Sequence, residues 1–212
     1  MKIACISDTH GQHHFDAMTL QMSEVKADLL LCAGDVSGTQ GDGMDFVEWM
    51  GSLPFPYKVC TFGNHDFMYK SMQEYAKAYP DITFLNNEHV VIEGIKIYGS
   101  PYSLPYFDWC FMADEPMLKR IYGGINSDTN IILSHGAAYG ILDQTWQGIH
   151  TGSRALLERI PDLKDLRLCV WGHIHEAYGQ EVRDGVTYVN ASLLNKNYRI
   201  KNKVIIYEYE SR

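Results

Sequence analysis

The chain has 212 residues, 46% of them hydrophobic, which is enough to bury a full core, and we predict a single domain over residues 1–212. It carries 18 basic and 26 acidic side chains, a formal net charge of −8, and its Lys and Arg residues form no basic run. This charge argues against long nucleic acid or an anionic membrane as a partner, and the sequence leaves the oligomeric state open.

The composition favours a reducing compartment. Residues 2–6 already read as a strand, without the charged and apolar regions of a leader peptide, and no later apolar run is long enough to span a bilayer. Four of the five cysteines lie in apolar strand-like runs, and none has CxxC spacing. We therefore expect a cytoplasmic location and reduced core cysteines.

Short apolar, β-branched runs alternate with helix-length amphipathic segments. The predicted strands are 2–7, 28–33, 57–61, 82–85, 89–92, 95–99, 130–134, 167–171, 181–183, 186–189 and 203–209. The predicted helices are 42–52, 68–79, 114–122 and 152–160, and the long irregular stretches are 36–43, 100–113 and 136–151. The early alternation predicts a parallel sheet, and the closely spaced late strands predict antiparallel hairpins, one of them turning at 183–185. A mixed α/β sandwich satisfies both patterns.

Polar clusters directly follow five of the strand-like runs. They are Asp8-Thr9-His10, Gly34-Asp35, Gly63-Asn64-His65-Asp66, Ser134-His135-Gly136 and Gly172-His173-Ile174-His175. The carboxyl ends of strands in an open α/β sheet form the crevice where ligands bind, so one edge would collect all five clusters. Asp8 and His10 are two residues apart, which in extended chain puts both side chains on one side, about 7 Å apart at Cα.

These five clusters, in this order, resemble the motifs of the calcineurin-like metallophosphoesterases, and the match extends from Asp8 to His175. The resemblance implies an α/β fold, namely a four-layer αββα sandwich of two mixed β-sheets flanked by helices. It also implies seven metal ligands, which are Asp8, His10, Asp35, Asn64, His135, His173 and His175. Asp8, His10, Asp35 and His175 would hold one ion, and Asp35 would bridge to a second ion held by Asn64, His135 and His173.

The implied cofactor is a pair of divalent transition-metal ions. Their four positive charges exceed the two carboxylate charges of the site, which leaves a surplus for hydroxide and phosphate. Two ions about 3.5–4 Å apart can activate a bridging hydroxide for in-line attack on phosphorus. Ligands without thiolate suit Mn, Fe, Zn, Co or Ni, and the sequence does not choose among them. The resemblance further gives Asn64 and His65 contacts with the substrate, and gives His65 the role of protonating the leaving group.

Three further segments, 96–101, 172–179 and 188–192, resemble the 239AB-type branch of metallophosphoesterase-domain-containing proteins. That branch is linked to cyclic-nucleotide phosphodiesterase activity and to binding of nucleoside monophosphates. The chain lacks the Asp and Arg that follow Gly-Asp in Ser/Thr protein phosphatases, which argues against that activity.

The motif regions contain almost no Lys or Arg, which favours a singly charged diester over a monoester. We expect hydrolysis of a small phosphodiester such as a cyclic nucleotide. The alternatives are a broad phosphomonoesterase, a metal-dependent nuclease, and a nucleotide-binding module with little turnover.

Other polar and aromatic residues admit a structural interpretation as well. His13, His14, His89 and His150 lack the glycine-framed strand-end setting and are expected to be packed or exposed, with His150 as the candidate exception. Asp66 could orient His65 or cap a helix. Asn190 and Ser192 are candidates for contact with the substrate or with groups that support the ligands, and both could instead make turn hydrogen bonds. The aromatic residues of 100–113 could wall a base-binding pocket or cover the core.

Overall fold

The computed structural model describes residues 1–38 and 43–210, so most of the glycine-rich connection at 38–43 and the start of the helix predicted at 42 lie outside the described residues. In chain order, the strands are β1 (Lys2–Ile6), β2 (Leu29–Cys32), β3 (Tyr57–Thr61), β4 (Ile82–Leu85), β5 (Glu88–Ile92), β6 (Ile95–Ser100), β7 (Ile131–Ser134), β8 (Leu168–Trp171), β9 (Gly179–Arg183), β10 (Val186–Asn190) and β11 (Ile205–Glu208). Each corresponds to a predicted strand.

The strands form two mixed sheets. The first has the order β11-β1-β2-β3-β4, with β1 to β4 parallel and β11 antiparallel to β1. The second has the order β5-β6-β7-β8-β10-β9, with a parallel centre and an antiparallel strand at each edge. The predicted early parallel pairing is therefore confirmed for the first sheet.

The late hairpin is confirmed in part. β9 and β10 are antiparallel, and Asp184 and Gly185 turn between them with φ of 50° and 77°, as a two-residue hairpin requires. β10 nevertheless pairs in parallel with β8, and β11 returns to the first sheet. The sequence pattern did not reveal these two pairings, because spacing along the chain shows only local partners.

The helices are α1 (Asp16–Glu24), α2 (Met44–Ser52), α3 (Tyr69–Tyr75), α4 (Glu115–Gly123) and α5 (Arg154–Arg159). Four were predicted, and α1 was missed. In α1 the apolar residues Met18, Leu20 and Met22 alternate along the chain, and only the two methionines are buried, while Leu20 is 62% exposed. Such a narrow apolar face gives little helical periodicity to detect.

Three apolar layers hold the helices and sheets together. The central layer lies between the sheets and includes Ile3 and Leu31 from the first sheet and Ile131 and Val170 from the second. The outer layers pack α1, α2 and α3 on the first sheet and α4 and α5 on the second. The αββα sandwich is thus confirmed. Strands buried on both faces also explain the continuous apolar runs that preceded the polar clusters.

Cys5, Cys32, Cys60 and Cys169 are buried, Cys110 is half-buried, and all five are free, as predicted. Among the described residues, no helix combines the length and apolarity that a membrane crossing requires.

Candidate metal centre

The structure gathers all seven predicted metal ligands at one end of the two sheets. The first sheet contributes the residues that follow β1, β2 and β3, namely Asp8, His10, Asp35 and Asn64. The second contributes the residues that follow β7 and β8, namely His135, His173 and His175. Beside these residues, an isolated β-bridge between Ser7 and Ser192 joins the segment after β1, in the first sheet, to the segment after β10, in the second.

The candidate ligand atoms form two groups. Within each group, these atoms lie within 4.8 Å of one another. One group is Asp8, His10 and His175, and the other is Asp35, His135 and His173. The Asp35 carboxylate reaches both, because its Oδ2 lies 3.3 Å from His135 Nε2 and 3.7 Å from His10 Nε2. This placement of Asp35 between two groups suits a bridging ligand.

The histidines of both groups are oriented by main-chain carbonyls. His135 Nδ1 donates to the Ala33 oxygen at 2.8 Å, and His175 Nδ1 donates to the Asn195 oxygen at 3.0 Å. Each bond leaves Nε2 facing the carboxylates, with His175 Nε2 3.4 Å from Asp8 Oδ1. Histidines that bind metals in proteins are held in this way by a hydrogen bond from the other ring nitrogen.

The amide of Asn64 fits the second group. It is 1% exposed, its Oδ1 lies 2.9 Å from His135 Nε2, and its buried Nδ2 has no hydrogen-bond partner. A buried amide held for its oxygen alone is consistent with metal ligation, since an unpaired buried donor otherwise costs about 1–3 kcal/mol. The donor set of imidazole, carboxylate and amide therefore fits divalent transition metals.

The backbone at the ligands is strained. Asp8, His10, Asp35 and His173 have φ of 54°, 42°, 52° and 66°, a left-handed region that residues with a Cβ seldom adopt. Each such residue costs about 1–3 kcal/mol and persists only where the surroundings enforce it. The left-handed conformation directs these side chains toward one another at the points where the strands end.

Two glycines allow the strands to end this tightly. A Cβ on Gly63 would lie 2.2 Å from Asp35 Oδ1, and a Cβ on Gly172 would lie 2.1 Å from Asp8 Oδ2. The two carboxylates can occupy their positions only because neither neighbour has a side chain.

Asp66 holds the loop that follows Gly34, and its carboxylate is directed at backbone N–H groups of that loop and of Gly63. Its fully buried carboxylate accepts backbone N–H groups from Gly63 at 2.8 Å, Asp35 at 3.0 Å, Val36 at 3.1 Å and Ser37 at 2.9 Å. Asp66 thus ties the loop that carries Asp35 to the turn that carries Asn64, a role distinct from both that were predicted for it.

Asn190 lies behind the metal ligands. It is fully buried, and its Nδ2 donates to the carbonyls of Leu142, Gly172 and Ile174, while its Oδ1 accepts from Ser192 N–H. These bonds use its polar atoms, so they argue against the substrate contact that was predicted for it. Asn190 instead fixes the loop that carries His173.

The charges of the site are balanced between carboxylates and imidazoles. Burial alone raises the pKa of Asp8 and Asp35, but His175 beside Asp8 and His135 beside Asp35 bring both pKa values well below the usual range. Burial alone lowers the pKa of His135 and His175, but the same carboxylates raise both to about 9. In the metal-free protein, the rings of His135 and His175 are therefore protonated at pH 7. Bound metal ions can replace the positive charge that these two rings supply.

The other two histidines behave differently. Burial lowers the pKa of His10 and of His173 to about 4. Both rings are neutral at pH 7, which is the state that binds a metal.

A cavity of about 540 Å³ opens over the ligands. His65 lines it, with its ring centroid 4.8 Å from that of His10 and 4.4 Å from that of Trp109, and its backbone N–H donates to Asp35 Oδ1 at 2.8 Å. The predicted position of His65 next to the ligands is therefore what the structure shows.

Several residues that line the cavity had been missed or left open. Trp146, Glu176 and Tyr198 were not predicted, and the Tyr198 ring lies 4.8 Å from His10 and 5.1 Å from His175. His150 also lines the cavity, with Nδ1 2.6 Å from Asp143 Oδ1. The signal for Trp146 and His150 was the long loop at 136–151, while nothing in the sequence marked Tyr198.

The aromatic residues of 100–113 divide between the two expected roles. Tyr106 and Trp109 line the cavity. Phe111 instead stacks on Phe62, with centroids 5.9 Å apart, and packs against the first outer core layer. The segment therefore both walls the cavity and covers the core.

Comparisons with known proteins accord with this geometry. A family model described as calcineurin-like phosphoesterase matches residues 1–177. Human metallophosphoesterase domain-containing protein 1 is 29% identical over 233 aligned residues, which cover 97% of this chain and 70% of that protein. The structure of TT1561 from Thermus thermophilus has a TM-score of 0.66 at 14% identity and covers 89% of this chain and 88% of its own. An archaeal phosphodiesterase has a TM-score of 0.55 at 16% identity over 98% of this chain and 100% of its own, so both structures share the fold.

Proposed function

Because the chain belongs to the calcineurin-like phosphoesterase family, and so is a metal-dependent phosphoesterase, we propose that it hydrolyses small phosphodiesters with two divalent ions. The predicted family and its branch of metallophosphoesterase-domain proteins are thereby confirmed. The observation that carries the proposal of two ions is the pair of ligand groups, Asp8-His10-His175 and Asp35-His135-His173, with the Asp35 carboxylate within reach of both.

The seven ligands divide between two positions, with Asn64 completing the second group. When bound, two divalent ions would activate water for attack on phosphorus and would neutralise charge on the phosphoryl oxygens. The protein keeps Asp8 and Asp35 ionised and His10 and His173 neutral, so four of the ligands need no change of protonation.

His65 is assigned to the leaving group. Its ring lines the cavity beside the ligands, and the bond from its backbone N–H to Asp35 fixes its distance from them. In this position His65 can contact a phosphoryl oxygen and transfer a proton to the departing oxygen. Trp109 packs against the ring and restrains its rotation.

The lining of the cavity supports a diester. None of the described residues that line it is Lys or Arg, and it includes the carboxylate of Glu176. A monoester carries nearly two negative charges and would find no Lys or Arg side chain there to balance the second, whereas a diester carries one. Tyr106, Trp109, Trp146 and Tyr198 offer aromatic surface for an apolar or heteroaromatic ester group, as a nucleotide would present.

Substrate preference tests the proposal. Metal-stripped protein resupplied with Mn²⁺ is assayed with bis(p-nitrophenyl) phosphate, p-nitrophenyl phosphate and 2′,3′- and 3′,5′-cyclic AMP at matched concentrations. We expect kcat/KM for the diesters to exceed that for the monoester by about tenfold or more, the value of one good charge-assisted contact. Faster turnover of the monoester would contradict the diester preference, and nucleotide binding without turnover would favour a binding module.

The role of His65 is tested with leaving groups of different basicity. His65→Gln should lower kcat for diphenyl phosphate by about 10²–10⁴-fold and should lower it much less for bis(p-nitrophenyl) phosphate, since p-nitrophenolate departs without a proton. His89→Gln, which removes a histidine outside the cavity, is the control. Equal losses on both substrates would make His65 a binding residue only.

A further inference from the structure

A second group of metal-binding side chains lies outside the cavity. His13 and His14 belong to a short 3-10 turn, Gln12–His14, and Asp45 lies in the first turn of α2. His14 Nε2 is 2.7 Å from Asp45 Oδ2, and His13 Nε2 is 3.3 Å from the same oxygen. One ligand atom from each residue lies within 4.8 Å of the other two, and none of the three residues lines the cavity.

The buried histidine of this group lacks the hydrogen bonds that such a ring normally makes. His13 is 0% exposed, and neither Nδ1 nor Nε2 makes a well-formed hydrogen bond, although Nε2 faces the Asp45 carboxylate at 3.3 Å. Its ring is instead enclosed by those of Phe46 and Trp49, at 5.3 Å and 5.5 Å. A buried polar atom without a hydrogen bond destabilises the fold, and a ligand bound at Nε2 would remove that destabilisation.

The donor atoms suit a cation of a particular class. Two imidazoles and one carboxylate form a common site for Zn²⁺ and similar divalent ions, with a fourth position open for water. Burial is the main cause that lowers the pKa of His13 to about 4, so its ring is neutral at pH 7. His14 and Asp45 are partly exposed, with side chains 57% and 40% accessible, so an ion can enter from solvent.

We propose that His13, His14 and Asp45 form an auxiliary site for one divalent transition-metal ion, separate from the catalytic ligands. The ion would join the turn that follows His10 to the first turn of α2, which is the helix that follows Asp35. Its role is structural, because its ligands lie outside the cavity where the substrate binds. The four histidines without glycine-framed settings were expected to be packed or exposed, and this inference separates His13 and His14 from that group.

The number of bound ions tests the site. Metal-stripped protein is dialysed against chelator-buffered Zn²⁺, and zinc per chain is measured by mass spectrometry. We expect His14→Gln and Asp45→Asn each to bind one equivalent fewer than the unmodified chain. Asp16→Asn is the matched control, because Asp16 is also an exposed aspartate in the first turn of a helix and lies outside the group. These substitutions avoid the buried ring of His13, whose loss could impair folding.

The test rests on the difference in zinc content between the unmodified chain and the variants, not on the total number of zinc ions per chain. It therefore does not depend on how many ions the catalytic centre binds. His173→Ala should retain the equivalent that Asp45→Asn loses. A crystal soaked in Zn²⁺ should also show anomalous scattering about 2.0–2.1 Å from His14 Nε2. Equal zinc content in the unmodified, His14→Gln and Asp45→Asn chains would overturn the proposal and leave His14 and Asp45 as an ion pair over a packed His13.

Discussion

The Asp8 carboxylate is positioned by residues from two other parts of the chain. Ser192 Oγ donates to its Oδ2 at 2.8 Å, the His173 backbone N–H donates at 3.1 Å, and the absent side chain of Gly172 leaves room for it. Ser192 is not among the residues that line the cavity, and its hydroxyl reaches the site through Asp8. Its contribution is therefore orientation of one ligand.

Ser192→Ala should weaken divalent metal binding by about 10–100-fold, the range for loss of a group that orients a ligand. Turnover at saturating metal should change much less, because all seven ligands remain. Titration of metal-stripped protein with Mn²⁺, followed by activity, measures this. Ser100→Ala, which removes another buried hydroxyl, bonded to Asn87, is the control. Equal affinities of Ser192→Ala and the control would remove Ser192 from the metal centre.

The raised pKa values of His135 and His175 predict a pH dependence for the metal-free protein. Both rings hold a proton below about pH 9, and a metal must displace it. Binding of Mn²⁺ at pH 7 should thus release protons, and its affinity should rise with pH up to about 9. Isothermal titration in buffers with different ionisation heats measures the release, and no release at pH 7 would contradict these protonation states.

The same two rings affect the stability of the metal-free fold. Their folded pKa of about 9 exceeds the ordinary value of 6.5. They therefore stabilise the fold fully below about pH 6.5, and this contribution is lost as the pH rises through 9.

At this scale the sequence predicted the ligands better than their surroundings. The candidate ligands stand in short motifs with fixed spacing, so the motif order predicted that Asp8, His10 and His173 would lie together, as they do in the structure. Ser192 was a candidate for a supporting contact, and its hydroxyl does bond to Asp8. Trp146 lies in a long loop that the sequence indicated, whereas the placement of Tyr198 depends on how the chain after β10 folds back. No local pattern encodes that return.

Among the secondary-structure elements, the turn after β8 is the most constrained. Gly172→Ala would place a Cβ 2.1 Å from both Asp8 Oδ2 and Ser7 Oγ, so one of these side chains must move. We expect metal affinity to fall by about tenfold or more and the free energy of unfolding to fall by about 1–3 kcal/mol. Metal titration and urea unfolding measure the two effects.

Gly123→Ala at the end of α4 is the matched control, because no atom lies within 4 Å of the position that its methyl group would take. It should bind metal normally. If Gly172→Ala behaved in the same way as Gly123→Ala, then the close approach of Gly172 to Asp8 would not be a constraint on the centre.

The sequence also predicted elements unevenly. Over residues 1–38 and 43–210, all eleven strands and four of the five α-helices were predicted, the strands because burial on two faces gives long apolar runs. The missed helix, α1, buries only Met18 and Met22, so its periodicity is weak. The partners of β10 and β11 also could not be predicted, since both pair with strands remote in sequence.

For the molecule as a whole, the proposed metal centre lies where the two sheets meet. Asp8, His10, Asp35 and Asn64 extend from one sheet and the three remaining ligands from the other, so separating the sheets would destroy both ligand groups. Bound ions should therefore stabilise the entire fold and not only the loops that hold them.

Removal of metal should lower the melting temperature. An ion at 100 times its Kd stabilises a fold by about 2.7 kcal/mol, which for a chain of this length corresponds to about 5–10 °C. Scanning calorimetry with and without a chelator measures the change, and His173→Ala should show a smaller one. An unchanged melting temperature after verified metal removal would show that the centre does not join the sheets energetically.

The most direct test of the central claim is hydrolysis of bis(p-nitrophenyl) phosphate by metal-stripped protein resupplied with Mn²⁺, beside His173→Ala and the control His89→Ala. The account predicts activity that returns with Mn²⁺ in the unmodified chain and in His89→Ala and that is lost in His173→Ala. Full activity in the stripped protein, or undiminished activity in His173→Ala, would contradict a metal centre built from these residues.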